Sequence, residues 1–446
     1  MHAGGNYMER KIDTFLMQWV ERKDRLPLLI YGARQTGKTY AVKQFAQKHF
    51  KTFIYLNFEE NNELSDLFGA KIDAASVIRN IELYFSKRID PDNTLVFFDE
   101  IQLCERALTS LKYFAEEAPE ITIIASGSLL GIMLKRDKFS FPVGKVTLYH
   151  MRPLDFEEFM WAMDQKLLID AISHAYQHLE PLPDPIHAKA LEWSDLFLLL
   201  GGMPAVINAY LDGSQNKKSD ERFRYVDEKK SDLINAYLAD MAKYTKAAEA
   251  SRVISTFNSI PAQFAKENHK FQYKLIQKGA SANLFSTSLE WLENAGVIIR
   301  CYRLDQPALP LSGNYDLSAF KVYMHDSGLL AKTLGVIPGE ILLSQLDSSN
   351  RGAVAENYVA AALSFNFEKL YYWENKSQAE IDFVIQKHNH VIPVEVKSGE
   401  NTKAKSLHSY INRFSPEYAI RISRRHFGKT DKIISIPLYA VYCLAN

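Results

Sequence analysis

The sequence is poor in cysteine and has no long unbroken apolar run, and each shortage removes a class of protein. Its three cysteines, Cys104, Cys301 and Cys443, lie far apart and form no CxxC pair. That spacing argues against a disulfide framework or a structural zinc site, and a reducing compartment is expected. The first residues, MHAGGNYMERK, lack the apolar segment of a secretory leader, so no signal peptide and a cytoplasmic location are expected. The most apolar run, Leu196 to Leu211, is broken by Gly201, Gly202 and Pro204. It falls short of the roughly 20 residues that a membrane helix needs, and no membrane partner is expected. Net charge is absent too: 53 basic residues balance 53 acidic ones. This excludes a histone-like polycation while permitting a local basic surface.

What is present describes a globular chain, 47% apolar and 24% charged. Its 446 residues exceed one ordinary core, and two to four domains are expected. The stretch LPLLIYGARQTGKTYAVKQF runs from an apolar strand through a glycine-bounded loop into a helical pattern. Gly32, Gly37, Lys38 and Thr39 satisfy G-x-x-x-x-G-K-[ST], and Ala33, Arg34, Gln35 and Thr36 fill the loop between them. In such a loop backbone N–H groups close around phosphate oxygens at a helix N-terminus. Lys38 supplies a charge for the β/γ-phosphates of ATP and Thr39 a hydroxyl for Mg²⁺.

A second apolar run, TLVFFDE, reads as a strand buried on both faces and ends in Asp99 and Glu100. Asp99 is placed to hold the Mg²⁺ shell and Glu100 to polarise the attacking water. A third strand, EITIIASGS, ends in Ser126 and Ser128, where a hydroxyl could reach the γ-phosphate. Alternating strands and helices imply a parallel sheet with the ligand at its carboxyl edge. Asp155 and Glu158 have capping-box spacing and read as structural.

In order along the chain, YGARQTGKT, LVFFDEIQ, ASGSLLGIM, MRPLDFEEF and GGMPAVINAYL resemble bacterial and archaeal ATPases of the AAA+ type. The C-terminal domain of those proteins resembles the restriction-endonuclease fold. Many of them carry Gly-Arg before the PLDFEEF segment, where this chain has Lys145. Lysine lacks the guanidinium fork, so no finger role is expected there. Arg136 and Arg152 are candidate nucleotide contacts, balanced against plain surface pairing.

Residues from about 165 to 245 read as helices interrupted by PLPDPIH. Phe257 to Leu304 has the order of a winged helix, with Lys270, Lys274 and Lys278 recurring every four residues. One helical face toward phosphate competes with a solvated face, and the second reading is preferred. Asp326, after His325, is expected to cap a helix.

Near the C-terminus, AEIDFVI and IPVEVKSG read as two strands around QKHNH. A turn at His388-Asn389 sets Asp382 opposite Glu395, with Cβ atoms about 5 Å apart. Like charges so placed cost stability unless a cation lies between them. Asp…Glu-x-Lys is the pattern of restriction-endonuclease-like nucleases: Asp382 and Glu395 would hold Mg²⁺, and Lys397 would assist the attacking water. Glu356, on an otherwise apolar helix, would add a further acid. The segment from Val396 to Lys432 holds nine Lys/Arg against three Asp/Glu, a balance suited to DNA or RNA. A binding module without catalysis and a protein-interaction domain are the alternatives.

The expected fold is α/β and multi-domain. It comprises a P-loop NTPase parallel sheet (1–165), a helical lid (166–245), a winged-helix-like segment (246–312) and an α/β nuclease-like domain (313–446). The expected function is ATP hydrolysis coupled to nucleic acid, with a homo-oligomer one possible assembly. The alternative is a nucleotide-dependent signalling or defence switch.

Overall fold

A computed structural model describes residues 8–69, 72–128, 142, 144–216, 219–243, 245, 247–264, 270–336, 348–375, 379–399 and 405–444. The chain divides into two units. One is Glu9–Arg152 with Asn294–Gly296; the other holds Pro153–Glu293 and Val297–Asn446.

The first unit is built on five strands: β1 (Leu28–Tyr31), β2 (Thr52–Asn57), β3 (Thr94–Asp99), β4 (Thr122–Gly127) and β5 (Thr147–His150). Their order is β2-β3-β4-β1-β5 and every neighbouring pair is parallel. Alternation explains why β1 and β3 are apolar throughout. Leu29, Val96 and Phe98 pack on one face with the helices Ala74–Phe85 and Glu105–Glu117, through Val77, Ile81, Leu108 and Leu111. Leu28, Ile30, Leu95 and Phe97 pack on the other with α1 (Lys11–Val20) and α2 (Lys38–His49), through Leu16, Trp19, Val42 and Phe45. Each such buried side chain contributes about 1.5–3 kcal/mol. The sheet is thereby a floor whose carboxyl edge carries the loop after β1 and, at the end of β3, Asp99 and Glu100.

The second unit opens on helices, Phe156–Ala162, Lys166–His178, Asp184–Leu200, Pro204–Asn216 and Ser219–Lys243. The capping box of Asp155 and Glu158 is present, with Glu158 N–H donating to Asp155 Oδ1 at 2.9 Å. Among the described residues no single helix is long and apolar enough to cross a membrane; Asp184–Leu200 and Pro204–Gly213 meet at 119°. Gly201, at φ 78°, makes that corner, and a Cβ on it would lie 2.2 Å from Asp326 Oδ1. Asp326 accepts from Gly202 N–H at 2.7 Å and from Leu329 N–H at 2.8 Å. It caps the helix Ser327–Thr333 as expected and also pins the glycine corner.

The strands of this unit are β6 (Ile298–Leu304), β7 (Tyr315–Met324), β8 (Leu370–Asn375), β9 (Ala379–Lys387), β10 (His390–Lys397), β11 (Ala419–Ser423), β12 (Gly428–Thr430) and β13 (Ile433–Pro437). They form one mixed sheet, β12-β13-β11-β10-β9-β8-β6-β7. The β9–β10 register follows the expected turn, with Val391 opposite Gln386 and Val394 opposite Phe383.

Two expectations differ from this architecture. The boundary at 312/313 falls between β6 and β7, which pair with each other and, through β8, with the C-terminal strands. The strands after the helix Ala282–Asn294 are therefore sheet strands and not a separate wing. Lys270, Lys274 and Lys278 also share no helical face. Lys270 bridges to β7, Lys274 sits in a 3₁₀ turn (Tyr273–Leu275) and Lys278 in a turn. Phe271 N–H donates to Phe320 O at 2.9 Å, and this tertiary pairing overrides the four-residue spacing.

Candidate functional site

The loop after β1 is shaped by close approach. Gly32 has φ 145°, and a Cβ there would stand 2.0 Å from Met151 O, so the loop lies directly on the end of β5. Gly37, at φ 98°, precedes α2, whose first turn leaves backbone N–H groups without helical partners. The loop carbonyls are tied back. Lys38 Nζ donates to Gly32 O at 3.0 Å and to Ala33 O at 2.7 Å, and Thr36 Oγ1 donates to Ala33 O at 3.0 Å. Arg34 pairs with Glu59 at 2.8 Å. Gln35 also has a positive φ, 63°.

Lys38 is buried, which pushes its ammonium down to about 8 against the attraction of Glu100 and Asp99. A triphosphate would replace the two carbonyls with anionic oxygens and raise that value, so binding takes up a proton above pH 8. Affinity for a fluorescent ATP analogue is accordingly expected to be flat below about pH 7. Above pH 8 it should weaken by about tenfold per unit, the slope for one linked proton. Lys38→Ala should largely remove the affinity and the slope together. A wild-type affinity that does not change between pH 7 and 9.5 would contradict this.

At the end of β3, Thr39 Oγ1 donates to Asp99 Oδ2 at 2.8 Å and Tyr55 OH to the same oxygen at 3.0 Å. Burial first, and Asp99 second, push the Tyr55 phenol up, so it stays a donor. Ser126 Oγ donates to Asp99 Oδ1. Its hydroxyl is committed to Asp99, and the expected reach toward a γ-phosphate is not what the structure places there. Thr39 and Asp99 side by side suit Mg²⁺, which keeps several waters and takes few protein ligands plus phosphate oxygens. Glu100 turns out of the strand at φ 52°; its carboxylate accepts from Gln102 Nε2 and, at 3.2 Å, from Ser128 Oγ. Gln102 and Ser128 were not singled out as partners of Glu100, although both lie within the motifs that carry the family resemblance. Lys145 pairs with Glu116 at 3.0 Å, a surface contact. Arg136 lies outside the described residues, and Arg152 closes the unit beyond β5.

The C-terminal acids meet partners that the sequence did not suggest. Lys321 on β7, 1% exposed, donates from Nζ to Glu356 Oε1 at 3.0 Å and pairs with Glu380. Tyr323 OH donates to the same Glu356 oxygen at 2.5 Å. Burial acts to lower the Lys321 ammonium, but Glu356, Glu380 and Asp382 outweigh it and hold the value well above the ordinary one. Glu356 is thus the counterion of an internal lysine. The expected set of Glu356, Asp382 and Glu395 is not assembled, and no group of three or more His, Cys, Asp or Glu is placed to hold a metal among the described residues.

Asp382 and Glu395 each have a partner of their own. Asp382 Oδ2 accepts from Val396 N–H at 2.7 Å, and Lys397 Nζ lies 3.0 Å from Glu395 Oε1. Desolvation first, then Glu356, pushes the Asp382 carboxyl up to about 7. Glu395 is 1% exposed and its Oε2 has no hydrogen-bond partner. The orphaned Glu395 oxygen is a buried acceptor that a donor or cation would satisfy. By their chemistry, two carboxylates of this kind would suit one divalent cation completed by waters or phosphate oxygens.

Residues 24–160 match the model of an AAA domain. Residues 192–340 and 351–440 match two domains of unknown function, DUF8612 and DUF4143. The junction between those two falls inside one sheet, since β6 and β7 lie in the first and β8 to β13 in the second. An uncharacterized protein of Methanocaldococcus jannaschii is 23% identical over 401 residues, covering 86% of this chain and 77% of that one. Among solved structures, a Walker-type ATPase of Pyrococcus abyssi has a TM-score of 0.45 at 14% identity, covering 74% of this chain and 96% of that one. The ORC2 protein of Aeropyrum pernix has a TM-score of 0.42 at 12% identity, covering 76% and 97%. The chain carries an AAA-type ATPase domain in its N-terminal third.

Proposed function

We propose that the chain hydrolyses ATP at the β1–α2 loop and couples the reaction to nucleic acid held by the C-terminal part of its second unit. The observation that carries the first half is the contact of Thr39 with Asp99 at 2.8 Å, with Glu100 next in the chain. Lys38 and the loop N–H groups bind the phosphates, Thr39 and Asp99 would hold Mg²⁺, and Glu100 orients the attacking water. Mg²⁺ when bound neutralises charge developing on the phosphate oxygens.

Support for the second half is a set of basic side chains left exposed after internal pairing. Arg424 is spent on Asp195 and Arg421 on Ser435, whereas Lys405, Arg413, Arg425 and Lys429 are exposed. Arg413 lies over the Trp373 and Phe414 rings. A cation at Asp382 and Glu395 would polarise a phosphodiester oxygen there, with Lys397 beside the water. The fully paired Lys321–Glu356 network favours a second reading, a module that binds nucleic acid and leaves it intact.

ATP turnover by the full chain should rise on adding single-stranded DNA, duplex DNA or RNA, and Lys38→Ala should abolish it. Turnover indifferent to all three would sink the coupling. Mg²⁺ or Mn²⁺ without nucleotide should raise the melting temperature of the second unit by binding its folded state. Asp382→Asn should lose that response, because one of the two proposed ligands is gone. A flat wild-type response would leave the binding-only module.

A further inference from the structure

Arg10 lies 26 residues before Thr36 in sequence and outside the matched segment 24–160. It is buried, 9% exposed, at the start of α1. Its Nη1 donates to Thr36 O at 3.1 Å and its Nη2 to Arg152 O at 2.9 Å. The residue is itself fixed: Arg10 N–H donates to Asp13 Oδ2 at 2.8 Å, and Ile12, Leu16 and Trp19 hold α1 on the sheet. Arg152 O is fixed as well, because β5 pairs with β1 and Met151 N–H donates to Tyr31 O at 2.7 Å.

We propose that Arg10 is a positioning residue for nucleotide, holding the Thr36–Gly37 peptide so that the Gly37 N–H stays directed at the phosphates. The reason is peptide geometry. In a planar trans peptide the C=O and the next N–H point in opposite directions. Turning Thr36 O toward the Arg10 guanidinium turns Gly37 N–H away from it, to the open side of the loop. Two further loop carbonyls, Gly32 O and Ala33 O, are tied as well. Those two ties differ in permanence from the third. Lys38 supplies both and must leave them to meet a phosphate, after which Thr36 Oγ1 keeps Ala33 O and Gly32 O is released. Arg10 holds Thr36 O from outside the loop's own chain segment, and its planar fork sets Nη1 on that carbonyl while Nη2 holds Arg152 O.

The inference rests on the ATP-binding reading above, and the test separates the two. Affinity for a fluorescent ATP analogue and steady-state turnover are measured on the full chain. Arg10→Ala should weaken binding and raise KM by about 10- to 100-fold, the scale of one or two charge-assisted hydrogen bonds. Its kcat should stay within about threefold, since Asp99 and Glu100 keep their contacts. Arg10→Lys, which keeps the charge without the planar fork, should fall between. Arg25→Ala is the structural control. Arg25 donates to Glu120 O and Thr122 Oγ1 in the same unit at 2.7 and 3.0 Å, and its loss should lower the melting temperature with Kd unchanged. No binding by the wild type would overturn the ATP reading. Wild-type binding with Arg10→Lys equally tight, or Arg10→Ala lowering kcat alone, would overturn the role of Arg10. If Arg10→Ala does not fold, the Lys variant decides.

Discussion

Glu100→Gln is expected to bind ATP as tightly as the wild type and to turn it over about 10²-fold more slowly, the usual scale for loss of a general base. Gln102 Nε2 and Ser128 Oγ hold the wild-type carboxylate, and the glutamine carbonyl can accept the same two hydrogen bonds. What the substitution removes is the negative charge that would draw a proton from water. The backbone supports an assignment of function here: φ 52° at a non-glycine residue costs on the order of 1 kcal/mol or more, and strain of this kind collects at sites where a side chain must point in one direction. Asp99 stays in place, since its partners are Thr39, Tyr55, Ser126 and the Glu100 N–H. Phosphate release and analogue binding, measured side by side, check the prediction. Wild-type turnover in the variant would move the base elsewhere; lost binding would mean that Glu100 supports the loop.

Lys321→Ala should destabilise the second unit by about 3–5 kcal/mol, because it leaves buried carboxylates without their cation. The same lysine touches Glu356 and Glu380 and lies 5.2 Å from the Tyr372 ring centroid. Lys321→Met keeps most of the volume and should still lose most of that stability, since charge and not packing is the cause. Adding Glu356→Gln to Lys321→Met should recover part of it, by removing the charge left behind. Urea unfolding of the wild type, Lys321→Met, Glu356→Gln and the double variant gives the coupling directly. A loss below about 1 kcal/mol for Lys321→Ala would mean that water or a bound cation already compensates these acids.

Local features of the molecule were legible from the chain. The loop between an apolar strand and a helix, the doubly buried strand ending in Asp99 and Glu100, the capping box at Asp155 and the β9–β10 register all follow from hydrogen bonding and side-chain alternation within a dozen residues. Those patterns fix which groups reach a sheet edge, and so they name Lys38, Thr39, Asp99 and Glu100. They do not fix which distant group answers a buried charge. Glu356 reads as a metal ligand until β7 brings in Lys321 from 35 residues away. Lys270, Lys274 and Lys278 read as one helical face until Lys270 pairs with that same strand. Arg10 carries no motif, and only the arrival of α1 beside the loop and the end of β5 gives it two carbonyls to hold. The alternation and the loop chemistry were written in the sequence because they are settled by neighbours in the chain. The pairing of buried charges was decided by the tertiary structure, because strand order determines which ions share a low-dielectric interior, where an unpaired one is too costly to keep.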